Sequence, residues 1–237
     1  MKILKLLLIY FLLPFKTFGQ DTGESPFKHM AFGLSVSPDI AYRTLIANSQ
    51  GTKDIVQQKN DLEIPQPGYT IGLKMASGQY NKWVLEMGLL YCDRGFQTKR
   101  EAFQSLVPDP NVPAFATMKH HYKYIDIPFK GSRFIYQNDK HGFYASVGFS
   151  PALLLAYRTL SSEEYSDGHT KKKEYKRSEF RVYFFALGGV GYQYRISDHI
   201  IMRTQPTIRY QVTPFTNGPV KQYLYNAGLD LGIYYTL

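Results

Sequence analysis

No stretch of this 237-residue chain is long and apolar enough to cross a bilayer as a helix, which takes about 20 residues. The most apolar run, Leu6 to Leu13, falls well short of that length. It follows Lys2 and Lys5 and precedes Thr17-Phe18-Gly19, the layout of a secretory signal peptide with cleavage between Gly19 and Gln20. No cysteine lies near that cut, so a lipid-modified N-terminus is not supported. The chain has one cysteine, Cys92, which excludes an intramolecular disulfide and reads as a small interior residue of a strand.

Other absences bear on chemistry. There is no Gly-x-Ser-x-Gly nucleophile elbow and no phosphate-binding glycine loop. His120 and His121 are adjacent, so on a strand they point to opposite faces and cannot share a metal ion. No cluster with metal-ligand spacing accompanies them or His199. The expectation is a protein without catalytic residues, metal or cofactor. The net charge of +9 would raise nucleic-acid binding in a cytoplasmic protein. The export signal argues against that partner and towards basic loops facing anionic lipid headgroups or lipopolysaccharide.

What the chain has is aromatics, glycine and alternation: 20 Tyr, 16 Phe and 19 Gly. Its segments alternate with period two over the length of a membrane-crossing strand. In the last segment, Tyr223, Tyr225, Ala227, Leu229, Leu231, Ile233, Tyr235 and Leu237 form one face, and Gln222, Asn226, Gly228, Asp230, Gly232 and Thr236 the other. The same test finds segments near 29–43, 68–77, 81–97, 121–135, 141–158, 178–195 and 199–213, with Pro38 bending the first of them or marking a bulge. Longer connections at 44–67, 98–120, 159–177 and 214–221 alternate with short ones at 77–80, 136–140 and 196–198. Short periplasmic turns and long external loops are the habit of bacterial barrels. The expected fold is an all-β, eight-stranded antiparallel up-and-down transmembrane β-barrel over residues 20–237, with residues 1–19 as signal peptide and both barrel termini in the periplasm.

A soluble sandwich or lipocalin-like barrel would also alternate. The charges decide which face is inside. Lys74, Glu86, Asp126, Lys130, Arg181, Arg195, Arg203, Arg209 and Asp230 all fall on the face opposite the apolar one. They are too many to seal in a dry core. In a membrane barrel they can pair across the lumen, and eight strands leave an interior that side chains fill. A narrow solute path or a membrane-embedded hydrolase is the sharper alternative. Trp83, Tyr91, Tyr157, Tyr192, Tyr194, Tyr210, Tyr223 and Tyr235 read as outward aromatic girdles. Lys171, Lys172, Lys173, Lys176 and Arg177 lie in the third long loop and could meet lipopolysaccharide phosphates.

Tyr124-Ile125-Asp126-Ile127-Pro128-Phe129-Lys130 resembles the Tyr-Leu-Glu-Ile-Pro-Leu-Leu-Leu-Lys stretch of the outer-membrane β-barrel proteins of Bacteroidota, the porin-like group that includes PorT. Phe143 to Pro151 is similar to that family's Gly-x-Gly-Pro-type strand, with Phe149 and Ser150 in place of small residues. The strand motif departs in Asp126 for Glu and in Lys130 arriving early, and the chain ends in Leu237 rather than an aromatic residue. The resemblance implies a cell outer-membrane location and delivery by the barrel-insertion machinery. It implies no catalytic residues. A role in a protein-secretion or assembly machinery would follow only from the PorT subgroup.

Overall fold

The computed structural model describes residues 30–80, 83–102, 112–216 and 218–237. The proposed signal peptide lies outside the described residues. The elements are β1 (Met30–Ala47), α1 (Lys53–Leu62), β2 (Glu63–Tyr80), β3 (Trp83–Thr98), β4 (Glu101–Ala102), β5 (Phe115–Asp126), β6 (Phe129–Gln137), β7 (His141–Glu164), β8 (Thr170–Arg195), β9 (Ile200–Gln211) and β10 (Val220–Thr236).

Every neighbouring pair is antiparallel, and the sheet closes because β1 pairs with both β2 and β10. The ten strands make eight staves. β5 and β6 are one stave, both lying between β3 and β7, and β4 is a two-residue addition to the edge of β5. The break at Ile127-Pro128 follows from proline, which has no N–H to give a ladder. Neighbouring backbone spans it: the Ile127 N–H donates to the Pro151 carbonyl (3.0 Å), and the Pro128 carbonyl accepts from the Gly88 N–H (3.2 Å). Closure pairs the staves edge to edge around the apolar band, the condition for a sheet to live in lipid.

The pleat puts alternate residues outside, and the outside is apolar. Tyr194, Met202, Ile233, Leu34, Leu73 and Leu89 follow one another through register across six staves, each a direct cross-strand partner of the next. Leu34 is 68 % exposed, Leu73 60 % and Ile233 61 %. A continuous exposed band of this kind has no place in water, and it matches the lipid-facing band of an outer-membrane barrel.

β7 and β8 contain 24 and 26 residues, respectively. At about 3.3 Å per residue each is roughly 80 Å long, far more than the 9–11 residues needed to cross. The expected loop at 159–177 is therefore a correction. It is an extension of the β7–β8 ladder, closed by a turn over 165–169 in which Gly168 adopts φ +87°. Short polar and charged residues supply the pairing there. Ser161, Ser162 and Glu163 face Lys173, Lys172 and Lys171. The first long connection also carries structure: α1 lies within it, and β1 and β2 extend into it from either side.

The register slips at Leu155, which β5 skips when Lys123 pairs with Ala156 and Tyr124 with Leu154. One inserted residue inverts every side chain beyond it. Tyr157, expected in the outward girdle, therefore faces in and stacks on Tyr122 at 4.9 Å.

Candidate functional site: a sealed lumen and a basic outer face

The inward face of β3 reads through the lumen from end to end. In order it presents Val84, Glu86, Leu90, Cys92, Arg94 and Phe96, all buried. Val84 belongs to an apolar cluster with Ala31, Ala76, Phe134, Tyr144 and Tyr234. Leu90, Cys92 and Phe96 belong to a second one with Tyr122, Tyr124, Leu154, Tyr183, Phe185 and Leu224. Charge lies between the clusters and at their margins.

Glu86 is the hub. Lys130 Nζ stands 2.6 Å from Glu86 Oε1, and Lys74 Nζ 3.7 Å from the same oxygen. Arg203 Nη1 donates to Glu86 Oε2 at 3.2 Å, and the Tyr234 hydroxyl donates to it at 2.8 Å. Lys74 also pairs with Asp230. Lys130 donates to Gln205 Oε1 (3.0 Å), whose Nε2 donates to Ser146 Oγ (2.6 Å). Arg203 Nε donates to Gln193 Oε1 at 2.9 Å, and the guanidinium lies 4.9 Å from the Tyr234 ring. These contacts join seven of the eight staves through side chains alone. The cleft between Lys74, Tyr144 and Tyr234 has no room for a water molecule.

A second layer centres on Asp39. It accepts from Ser37 Oγ (2.6 Å), Thr70 Oγ1 (2.6 Å) and Asn226 Nδ2 (3.0 Å), with Arg209 Nη1 3.6 Å away. The carboxylate packs against the bare Cα of Gly228, where an added Cβ would fall 1.8 Å from Asp39 Oδ1. Above it Arg94 pairs with Asp126 and lies 4.5 Å from the Phe185 ring. At the outer mouth Arg43 pairs with Glu63 and donates to Asn60 Oδ1 (3.1 Å) and the Lys59 carbonyl (3.2 Å). In this way α1 is tied down as a cap.

Of the nine interior charges expected from alternation, Lys74, Glu86, Asp126, Lys130, Arg203, Arg209 and Asp230 are buried in these layers. Arg195 lines the mouth at the end that carries the termini. Arg181 is a correction. Its side chain is 56 % exposed, 3.7 Å from Glu179. β9 stops pairing with β8 at Phe185, so Arg181 stands above the rim with no lumen around it. Asp39, Arg43, Glu63 and Arg94 are members that the alternation reading did not include. Arg94 keeps the parity of Glu86 and Cys92 and could have been found by continuing that face. Asp39 and Arg43 lie beyond Pro38, which read as a bend.

The expected cation cluster sits on β8. Lys173 Nζ pairs with Glu163 (2.9 Å), and Lys171 is the cross-strand partner of that residue. Lys172, Lys176 and Arg177 are exposed. Register puts Lys123, His121 and Lys119 on the outside of β5, beyond the outward Ile125, with Arg158 of β7 and Lys176 of β8 in the same row as His121. Arg158 is held by Glu174 (2.6 Å) and His121 by Asp93 (3.0 Å). Lys119, Lys123 and Lys176 make no ion pair with any described residue. The result is a basic outer strip directly above the apolar band.

His120 faces the other way. Its Nδ1 lies 2.8 Å from Tyr157 Oη and 3.1 Å from Thr159 Oγ1, and its ring is 4.7 Å from Phe96. Burial, with Lys59, His121 and Arg43 adding to it, brings its pKa down to about 4 from an ordinary 6.5. The folded protein thus holds His120 neutral where the unfolded chain would bind a proton. Stability from this residue is complete above about pH 6.5, falls as the pH drops towards 4, and is level below that. We expect the His120 ring resonances to titrate with a midpoint near 4; a midpoint above 6 would contradict its burial.

A closed antiparallel barrel with an apolar outside and an ion-paired inside is an integral outer-membrane protein. The chain belongs to the outer membrane protein beta-barrel domain family, whose model matches residues 21–218. Its fold is similar to Neisserial surface protein A, with 12 % identity, 88 % of this chain and 97 % of that chain covered, and a TM-score of 0.44. OprG from Pseudomonas aeruginosa matches at 11 % identity, with 88 % and 97 % covered and a TM-score of 0.43. The outer membrane protease OmpT from Escherichia coli matches at 6 %, with 92 % and 99 % covered and a TM-score of 0.46. No curated protein matches the chain in sequence.

Proposed function

We propose that this is a non-enzymatic outer-membrane barrel that acts at its external face, anchoring to lipopolysaccharide and presenting the β7–β8 hairpin and its neighbouring loops. The observation that carries the reading is the sealed lumen: charge layers and apolar clusters fill it, so function falls to what projects beyond it. The cations of Lys119, Lys123 and Lys176, placed where lipid headgroups begin, suit the phosphates of lipopolysaccharide. The two histidine–carboxylate pairs, His121 with Asp93 and His169 with Asp167, carry no hydroxyl partner among the described residues, which favours a non-catalytic reading. The Tyr124–Lys130 stretch, folded as the broken stave at Pro128, supports a place in the Bacteroidota branch of the family.

The test is a variant with Lys119, Lys123 and Lys176 all changed to Gln. Each headgroup-level cation contributes about 1 kcal/mol near an anionic surface, so the variant should bind lipopolysaccharide on the order of 100-fold more weakly at low salt. The gap should close as salt is raised. An affinity unchanged in the triple variant would refute the anchoring role.

A further inference from the structure

The end of the barrel that carries the termini contains a cavity of about 140 Å³, open to solvent. It is comparable with the roughly 150 Å³ cavity that accommodates benzene. Its walls are of two kinds. Ala31, Ala76, Val84, Phe134 and Ile201 give an apolar side, while Arg203, Arg195 and Gln193 give a polar one.

Three observations point to an anion there. The first is charge balance in the Glu86 layer. Lys74, Lys130 and Arg203 are three buried cations, against two carboxylates, Glu86 and Asp230. The layers further up are balanced one to one: Arg209 with Asp39, Arg94 with Asp126, Arg43 with Glu63. The excess positive charge therefore belongs to the one layer that borders the cavity. Second, Arg195 at the mouth makes no ion pair with any described residue, and the Asp198 carboxylate that also lines the cavity is not paired with it. Third, Thr236 also lines this space, and its buried Oγ1 has no hydrogen-bond partner among the described residues.

A buried cation in excess is costly unless a counter-charge reaches it. The cavity is too small for a polysaccharide or a lipid, and its apolar wall is wasted on an inorganic ion. We infer that the cavity binds a small monocarboxylate with a short alkyl tail, of three to five carbons. The carboxylate sits between Arg203 and Arg195 within reach of Thr236 Oγ1, and the tail lies on Ala31, Ala76 and Val84. The cleft beyond Arg203 is closed to water, so this is a terminal site and not a stage of a channel. The site is at the opposite end of the barrel from the lipopolysaccharide strip, and either can fail without the other.

The experiment is an NMR titration of the refolded full barrel in uncharged or zwitterionic detergent with sodium butyrate, and in parallel with butyramide and sodium chloride. Saturable shifts are expected at the amides of Ala31, Ala76, Val84 and Ile201 with butyrate alone. Arg195→Gln should weaken butyrate at least fivefold, and Arg195→Lys should restore most of the loss. Unchanged amides at Tyr122 and Leu224, in the far cluster, would show that the variants remain folded. Butyrate shifts that do not saturate, butyramide acting as well as butyrate, or an affinity unchanged in Arg195→Gln would each overturn the proposal.

Discussion

Replacing Glu86 by Gln is expected to destabilise the barrel by about 3–5 kcal/mol, the usual consequence of leaving buried ions without their partner. The substitution keeps the size of the side chain and its bond with the Tyr234 hydroxyl. It removes the charge that holds Lys130, Lys74 and Arg203 together. Neither neighbouring carboxylate can take over. Asp230 is already engaged with Lys74, and Asp39 lies in the next layer with Arg209. A urea titration in lipid vesicles, followed by tryptophan fluorescence from Trp83, measures the effect. The compensated variant Glu86→Gln/Lys130→Met should recover a good part of the loss, because one of the stranded cations is gone. A shift of less than about 1 kcal/mol in Glu86→Gln, the scale of an exposed ion pair, would show that the layer is wet and not sealed.

Leu73→Arg should cost about 2–4 kcal/mol, the penalty for a guanidinium on the lipid face near the bilayer midplane. Leu73 lies in the apolar row between Leu34 and Leu89, flanked along β2 by the exposed Ile71, and it is 60 % exposed to what the fold makes lipid. Ile200→Arg, at the first residue of β9, should cost only about 0–1 kcal/mol because the side chain can reach the headgroups. The contrast between the two positions is the test, and the same vesicle titration reads both. Equal costs, or a Leu73→Arg protein that folds without lipid, would mean that the apolar band is not the membrane-facing surface.

Much of the architecture was legible from side-chain alternation. A period of two along a closed sheet assigns every residue to lipid or lumen, and the contrast between Leu, Ile and Phe on one face and Arg, Lys, Glu and Gln on the other leaves little freedom. For that reason Glu86, Lys130, Asp126 and Asp230 could be placed inside without knowing what they touch. Alternation fails where the period fails. The bulge at Leu155 turned Tyr157 inward, and nothing in the residues 153–158 announces an insertion. Proline interrupted the reading at Pro38 and hid Asp39 and Arg43, although the strand runs through that position unbroken. The segment at 159–177 read as loop because polar and charged residues have no lipid or lumen to distinguish. It forms strand because the long β7 and β8 ladders, once started in the membrane, keep supplying cross-strand partners.

The site followed the same division. A one-dimensional pattern can say that a charge faces the lumen, but partners that are 156 residues apart, as Lys74 and Asp230 are, meet only when the barrel closes. The excess of cations around Glu86, the unpartnered Thr236 hydroxyl and the cavity beneath Arg203 exist at that level alone. Composition and alternation thus specified a membrane barrel, its number of crossings and its two faces, since those depend on local transfer energies between lipid, water and a polar interior. Strand closure specified which charges pair, where the lumen is sealed and where it is left open, since those depend on distances between residues that the chain itself keeps far apart.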